Sequence, residues 1–204
     1  MSVTIIDYGM GNIMSVYNAF NKMNCKVNII KNPDALKKAD KIILPGVGSF
    51  NKAMNKLEDG GWIKPLNKAV QLDKKKFLGI CLGMQLLATK GYENGITKGL
   101  NWINGEVKRL KSSNDNFRLP HVGWNNVEIK KRNGLYKGLK NNLDFYFINS
   151  YAFFPSNDKV VSGICDYKGQ FVSSIELDNI FATQFHPEKS QKAGFQILRN
   201  FLQT

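Results

Sequence analysis

The stretch Phe77-Leu-Gly-Ile-Cys-Leu-Gly-Met-Gln85 decides how the rest of the chain is read. A short apolar strand, Phe77–Ile80, runs into Gly79-Ile80-Cys81-Leu82-Gly83, and a helix is expected at once over Leu82–Thr89, with Gly91 as its C′ residue. This is the form of a nucleophile elbow with cysteine in place of serine. In such a turn the nucleophile stands at the carboxyl end of a strand, and flanking glycines leave room for neighbouring backbone and substrate. The following helix aims its N-terminus at the thiol and favours thiolate. The amide of Leu82 is placed to donate to an oxyanion. The plain alternative is a core cysteine at a strand–turn–helix junction.

Upstream, the chain alternates. Val3–Asp7, Lys26–Ile30 and Lys41–Leu44 read as strands, and Ile13–Met23 carries apolar residues at helical spacing. Asp34–Asp40 has room only for a short helix, and Asn51–Leu57 and Ile63–Leu72 read as two more. Such alternation implies βαβ units and a parallel sheet covered on both faces.

Downstream, the pattern changes. Glu106–Leu110, Trp124–Ile129, Phe145–Asn149, Val160–Tyr167, Phe171–Glu176 and Ile180–Gln184 all read as strands. Asp166–Gly169 has turn chemistry for a hairpin. A last helix over Gln191–Leu202 puts Ala193, Ile197 and Phe201 on one face. The expected fold is one α/β domain over residues 1–204. Its open, mostly parallel twisted sheet has helices on both faces and gains antiparallel strands in the C-terminal half.

Composition limits the function. The chain has 204 residues, 29 Lys+Arg against 16 Asp+Glu, and a net charge of +13. A pI above about 9 is one footprint of a nucleic-acid binder. The basic runs Lys37-Lys38, Lys74–Lys76 and Lys130–Arg132 are scattered and lack the interleaved aromatics that stack on bases. No nucleic-acid partner is expected, and most of the lysine reads as solvated surface. No apolar run approaches the ~20 residues of a membrane span, and the start of the chain lacks a secretory pattern. Cys25, Cys81 and Cys165 are odd in number and far apart, which fits a cytoplasmic chain with no disulfide framework. With His121 and His186 as the only histidines, no metal site is expected.

Two further motifs join the elbow. In Phe185-His-Pro-Glu-Lys-Ser190, His186 follows an apolar strand and Glu188 lies two residues on, across a stiff proline. A histidine base needs a partner that fixes its tautomer and stabilises its charged form, and Glu188 can supply this. Together with Cys81 they make a nucleophile–base–orienter set from different strand ends. In Leu44-Pro-Gly-Val-Gly-Ser-Phe50 the glycines let backbone N–H groups face a ligand. The lack of Gly-Lys-Ser/Thr argues against a phosphate loop and for a second oxyanion donor.

Taken together, residues 79–85, 45–50 and 184–190 resemble the class I glutamine amidotransferases, whose fold is flavodoxin-like. Asp-Tyr-Gly-Met-Gly-Asn (7–12) and Pro-His-Val-Gly-Trp-Asn (120–125) are similar to the glutaminase subunits of imidazole glycerol phosphate synthases. The resemblance covers essentially the whole chain. It implies hydrolysis of L-glutamine by a Cys81–His186–Glu188 triad, with no cofactor. The oxyanion hole would come from Leu82 and from Val47 or Gly48. Gln85, Glu93 and the backbone of Ser150 and Tyr151 would hold the glutamine head group. It further implies that ammonia passes to a (β/α)8 cyclase subunit in a heterodimer, which forms imidazole glycerol phosphate and a purine-precursor nucleotide. That subunit would dock on Asn12, Trp124, Tyr146 and Lys189. The acceptor would then be bound by another chain, and the basic surface would help to steer an anionic acceptor or a protein partner. Glutaminase activity would be low without the partner, with the 45–50 loop reorienting an amide on activation.

One position departs from the family: Asn149 stands where it usually has histidine, bordering the glutamine site. Residues 180–191 are also similar to paralogues that supply ammonia through a cyclase-like partner to a sugar amidotransferase, which is the second reading. A related Cys-elbow hydrolase is a third, and the residue 7–12 and 120–125 segments argue against it.

Overall fold

The computed structural model describes residues 2–111 and 118–204. Its main sheet has nine strands. β1 (Ser2–Ile6), β2 (Lys26–Ile30), β3 (Lys41–Gly46) and β4 (Lys76–Cys81) come from the first half of the chain. β8 (His121–Ile129), β9 (Leu143–Asn149), β11 (Val161–Asp166), β12 (Gln170–Leu177) and β13 (Ile180–Thr183) come from the second. The order is β2-β1-β3-β4-β13-β12-β11-β8-β9. The first five strands are parallel, in the 2-1-3-4-5 arrangement of a flavodoxin-like sheet. The last four add antiparallel ladders. A second sheet, in the order β10-β7-β5-β6, is built from β5 (Lys90–Gly91), β6 (Thr97–Lys98), β7 (Gly105–Arg109) and β10 (Tyr151–Pro155).

Strands β1, β3 and β4 are buried almost end to end, as a sheet with two covered faces requires. Alternate side chains feed two cores. Val3, Ile5, Ile43, Leu78 and Ile80 pack under α1 (Ile13–Asn21) and α5 (Gln191–Gln203). Ile6, Ile42, Leu44 and Phe77 pack under α2 (Phe50–Asp59) and α3 (Ile63–Asn67). Helices therefore cover both faces.

Several elements differ from their sequence reading. The 34–40 segment is a 3-10 helix, Pro33–Lys38, opened by Asn32 capping Asp34. The helix expected over Ile63–Leu72 is α-helical only to Asn67 and then widens into a π turn, Lys68–Leu72. The largest correction falls after the elbow, where α4 spans only Leu82–Gln85. The carbonyls of Leu86, Leu87 and Ala88 are taken by the amides of Leu100, Trp102, Ile103 and Asn101, so the helix is cut short by a distant segment. Gly91 is not a C′ residue but a strand position paired with Val107. β5, β6 and β10 carry no periodic signal that separates them from their neighbours.

Glycines allow the crowding at the elbow. A Cβ on Gly79 would meet the Gly83 carbonyl oxygen at 2.7 Å, and one on Gly83 would strike the Leu44 carbonyl oxygen. Gly83→Ala should therefore force β3 and β4 apart and cost about 3 kcal/mol, the upper range for overpacking. This would appear as a melting temperature lower by roughly 6–12 °C. An unchanged melting temperature would contradict the packing.

Candidate active site

Cys81 ends β4 in left-handed backbone, with φ 54° and ψ −109°. The strain tips its side chain off the sheet, in the manner of an elbow nucleophile. The residue is nearly buried, at 6% exposure. The helix after it has only four residues, so the dipole expected from the sequence is weak.

His186 reaches the same end of the sheet because β13 lies parallel to β4, pairing Thr183 with Ile80. The Nδ1 of His186 is 2.7 Å from Glu188 Oε1, and both side chains are buried. That contact fixes Nδ1 as the nitrogen that donates to the carboxylate and leaves Nε2, which has no geometric hydrogen-bond partner, for chemistry. The turn is clasped by β9. The amide of His186 donates to the Tyr146 carbonyl at 2.9 Å, and the Tyr146 amide donates to Ser190 Oγ at 3.0 Å. Ser190 Oγ donates in turn to the His186 carbonyl at 2.6 Å. Burial opposes charge on the His186 ring, but the neighbouring Cys81 and Glu188 outweigh it and raise the imidazole to about 10. A cysteine–imidazolium pair is the arrangement that activates a thiol.

The structure adds a contact that the motif reading missed. Gln184, fully buried, donates from Nε2 to Cys81 Sγ at 3.6 Å. Its Oε1 accepts from Gln85 Nε2 at 3.0 Å, and Gln85 Nε2 also reaches the Tyr151 carbonyl at 2.9 Å. Its only sequence signal was its place two residues before His186, in the turn just beyond β13.

A cavity of about 700 Å³ opens beside the sulfur. Cys81, Leu82, Gln85, Val47, Gly48, Glu93, Ser150 and Tyr151 all line it, as do Asn149 and Pro120. Glu93 Oε2 accepts from the Phe50 amide at 2.8 Å, capping α2 from a distant loop. The carbonyls of Ser150 and Tyr151 are already engaged, by the Leu110 amide and by Gln85 and Asn149. The Val47 amide donates to the Met10 carbonyl at 3.0 Å. It is therefore engaged in this state, while Gly48, at φ 100°, gives the loop a swivel. Among the described residues, no group of three or more His, Cys, Asp and Glu side chains is arranged to hold a metal ion.

Three of the four expected docking residues meet on one surface. Trp124 and Tyr146 face each other across β8 and β9 with ring centroids 6.1 Å apart, and Lys189 Nζ lies 5.7 Å from the Tyr146 centroid. Val122 and Ile148, exposed and paired in the same ladder, extend the apolar patch. The fourth, Asn12, caps α1, its Oδ1 accepting from the Ser15 amide at 3.3 Å. No helix among the described residues is long and apolar enough to cross a membrane.

The two histidines move in opposite directions. His121 stacks on Tyr167 and Phe147, and burial lowers it to about 4. Its neutral ring contributes stability above about 6.5 that is lost as pH falls toward 4. The raised His186 contributes stability that is complete below about 6.5 and is lost as pH rises through about 10. NMR titration of the rings should show His121 neutral and His186 charged across neutral pH. Glu188→Gln should bring His186 down by about one pH unit or more. Two rings titrating together near 6.5 would contradict this electrostatic reading.

Comparison with known proteins agrees with the geometry. A model of the family described as glutamine amidotransferase class-I matches residues 4–204. The chain is 45% identical to the imidazole glycerol phosphate synthase subunit HisH of Pelagibacter ubique, over 99% of both chains. It is 48% identical to HisH 1 of Campylobacter jejuni strain 81-176, over 98% of both. Among solved structures, PurLQS from Thermotoga maritima superposes with a TM-score of 0.77 at 15% identity, covering 99% of this chain and 97% of that one. A glutamine amidotransferase from Thermotoga maritima gives 0.65 at 16%, covering 100% and 96%. A cysteine elbow, a buried His–Glu pair just beyond the adjacent strand and a family match over nearly every residue agree: the chain belongs to the class I glutamine amidotransferases, among the HisH sequences of imidazole glycerol phosphate synthase.

Proposed function

We propose that residues 1–204 form one glutaminase domain, the ammonia-producing subunit of an imidazole glycerol phosphate synthase in histidine biosynthesis. The observation that carries this is the placement of Cys81 and the His186–Glu188 pair at the same ends of adjacent parallel strands, with Cys81 lining a cavity shared with Gln85 and Glu93. Cys81 Sγ attacks the side-chain amide carbon of L-glutamine. The negative charge passes to the carbonyl oxygen, which the Leu82 amide stabilises. His186 gives its Nε2 proton to the leaving nitrogen, and ammonia departs as the thioester forms. His186 then takes a proton from water, which attacks the thioester and releases glutamate and the thiolate. Glu188 holds the imidazole through Nδ1. Glu93 offers a carboxylate to the substrate's α-ammonium, and Gln85, Ser150 and Tyr151 complete the head-group site.

The engaged Val47 amide supports a resting state with half an oxyanion hole. Docking of a (β/α)8 cyclase subunit on Trp124, Tyr146, Lys189 and Asn12 would bias the 45–50 loop so that this amide, or that of Gly48, turns to the oxyanion. One oxyanion donor is worth about 10²–10³ in rate. The isolated chain should accordingly hydrolyse glutamine about 10²–10³ times more slowly than the cyclase complex with acceptor bound.

The test is reconstitution with the cyclase, followed by an assay of imidazole glycerol phosphate. Cys81→Ala should abolish glutamine-dependent synthesis and retain synthesis from added ammonia. Full glutamine-dependent activity in this variant would refute the assignment of the nucleophile. Product formed only by amidination of a sugar would place the chain with the sugar-modifying paralogues. Trp124→Ala should weaken binding to the cyclase by about 2 kcal/mol, roughly thirtyfold, as read by titration calorimetry.

A further inference from the structure

The sulfur of Cys81 has a contact outside the triad. Gln184 is completely buried, and its side-chain amide lies 3.6 Å from Sγ. Three contacts fix which atom faces the sulfur. The Tyr151 carbonyl can only accept, so the Gln85 atom 2.9 Å from it is the nitrogen. That same nitrogen lies 3.0 Å from the Gln184 amide and therefore meets its oxygen. The Gln184 atom left to face Cys81 is the nitrogen, a donor. Sγ also lies 3.9 Å from the Ile148 carbonyl, which accepts from the thiol and opposes the thiolate.

We propose that Gln184 is a positioning residue for the nucleophile: its N–H···S contact holds Sγ and stabilises the thiolate, and its link to Gln85 ties that hold to the glutamine head-group site. The proposal rests on the reading of Cys81 as the nucleophile. A four-residue α4 supplies little dipole, so the sulfur draws on a side-chain donor as well as on His186. Gln85 lines the cavity while its Nε2 orients Gln184. A ligand that engages Gln85 therefore acts on an amide one contact removed from the sulfur.

The experiment measures Cys81 alkylation by iodoacetamide against pH on the full chain, with the Cys81 peptide read by mass spectrometry. Gln184→Met keeps the length and removes the donor. It should move the profile up by about one pH unit and slow alkylation at neutral pH about tenfold. In the reconstituted complex kcat should fall about tenfold, with KM for glutamine within about twofold. Gln85→Met does not touch the sulfur and should shift the alkylation profile the same way by less. An unchanged profile in folded Gln184→Met overturns the donor role, and an unchanged profile in Gln85→Met overturns the relay. Should Gln184→Met lose its cooperative melting transition, Gln184→Glu is read in its place with the same expectation for the profile. If neither folds, the Gln85→Met profile decides. Alkylation needs no glutamine, so a chain that shows these shifts yet hydrolyses no glutamine would refute the proposed function and leave this inference standing.

Discussion

The left-handed backbone of Cys81 is the constraint on which the rest of the site depends. A non-glycine residue at φ 54° costs on the order of 1–3 kcal/mol and persists only where its surroundings impose it. Here Gly83 lies against Leu44 of β3 and Gly79 lies against the Gly83–Met84 turn, so neither has room for a methyl group. The same closeness sets the 45–50 loop beside the sulfur. Gly46 meets the Tyr8 hydroxyl, the Leu82 side chain and the Gly83 amide within a Cβ's reach. Strain at one residue thus organises two loops and the mouth of a cavity.

The strand order does the remaining work. β13 arrives from the far end of the chain and lies against β4, which places a residue numbered 186 beside one numbered 81. The ligand-facing ends of β3, β4 and β13 then open together, where open α/β sheets gather their sites. The antiparallel extension is more than an edge. Through the Tyr146 backbone and Ser190, β9 fastens the turn that carries His186 and Glu188.

Much of this was legible in the residues. The βα alternation, the elbow and the His186–Glu188 spacing are local patterns, and the structure keeps each of them. What stayed hidden was set by distant partners. The helix after Cys81 stops at Gln85 because amides of residues 100–103 claim the next carbonyls. Tyr151–Pro155 becomes a strand of another sheet although only Ser150 separates it from β9, and an apolar run does not show where it changes sheet. Glu93 caps α2 across 43 positions. The Gln184 contact to sulfur required knowing that Gln85 and Tyr151 stand behind it. The Val47 amide, expected from its place in the chain to face an oxyanion, is held by the Met10 carbonyl, and only the fold shows this.

The alternation of β9 carries a consequence for how this chain can change in length. Phe145, Phe147 and Asn149 point into the core and cavity, while Tyr146 and Ile148 face outward. A period of two means that losing or gaining a single residue between 143 and 149 exchanges these sets. Aromatic rings would leave the core, and the outward patch would be pulled inside. The peptide group that fastens His186 would be replaced by its neighbour, facing the wrong way. Indels in this strand are therefore far more damaging than point substitutions, because one step in register disturbs the interior, the exterior and the histidine turn together.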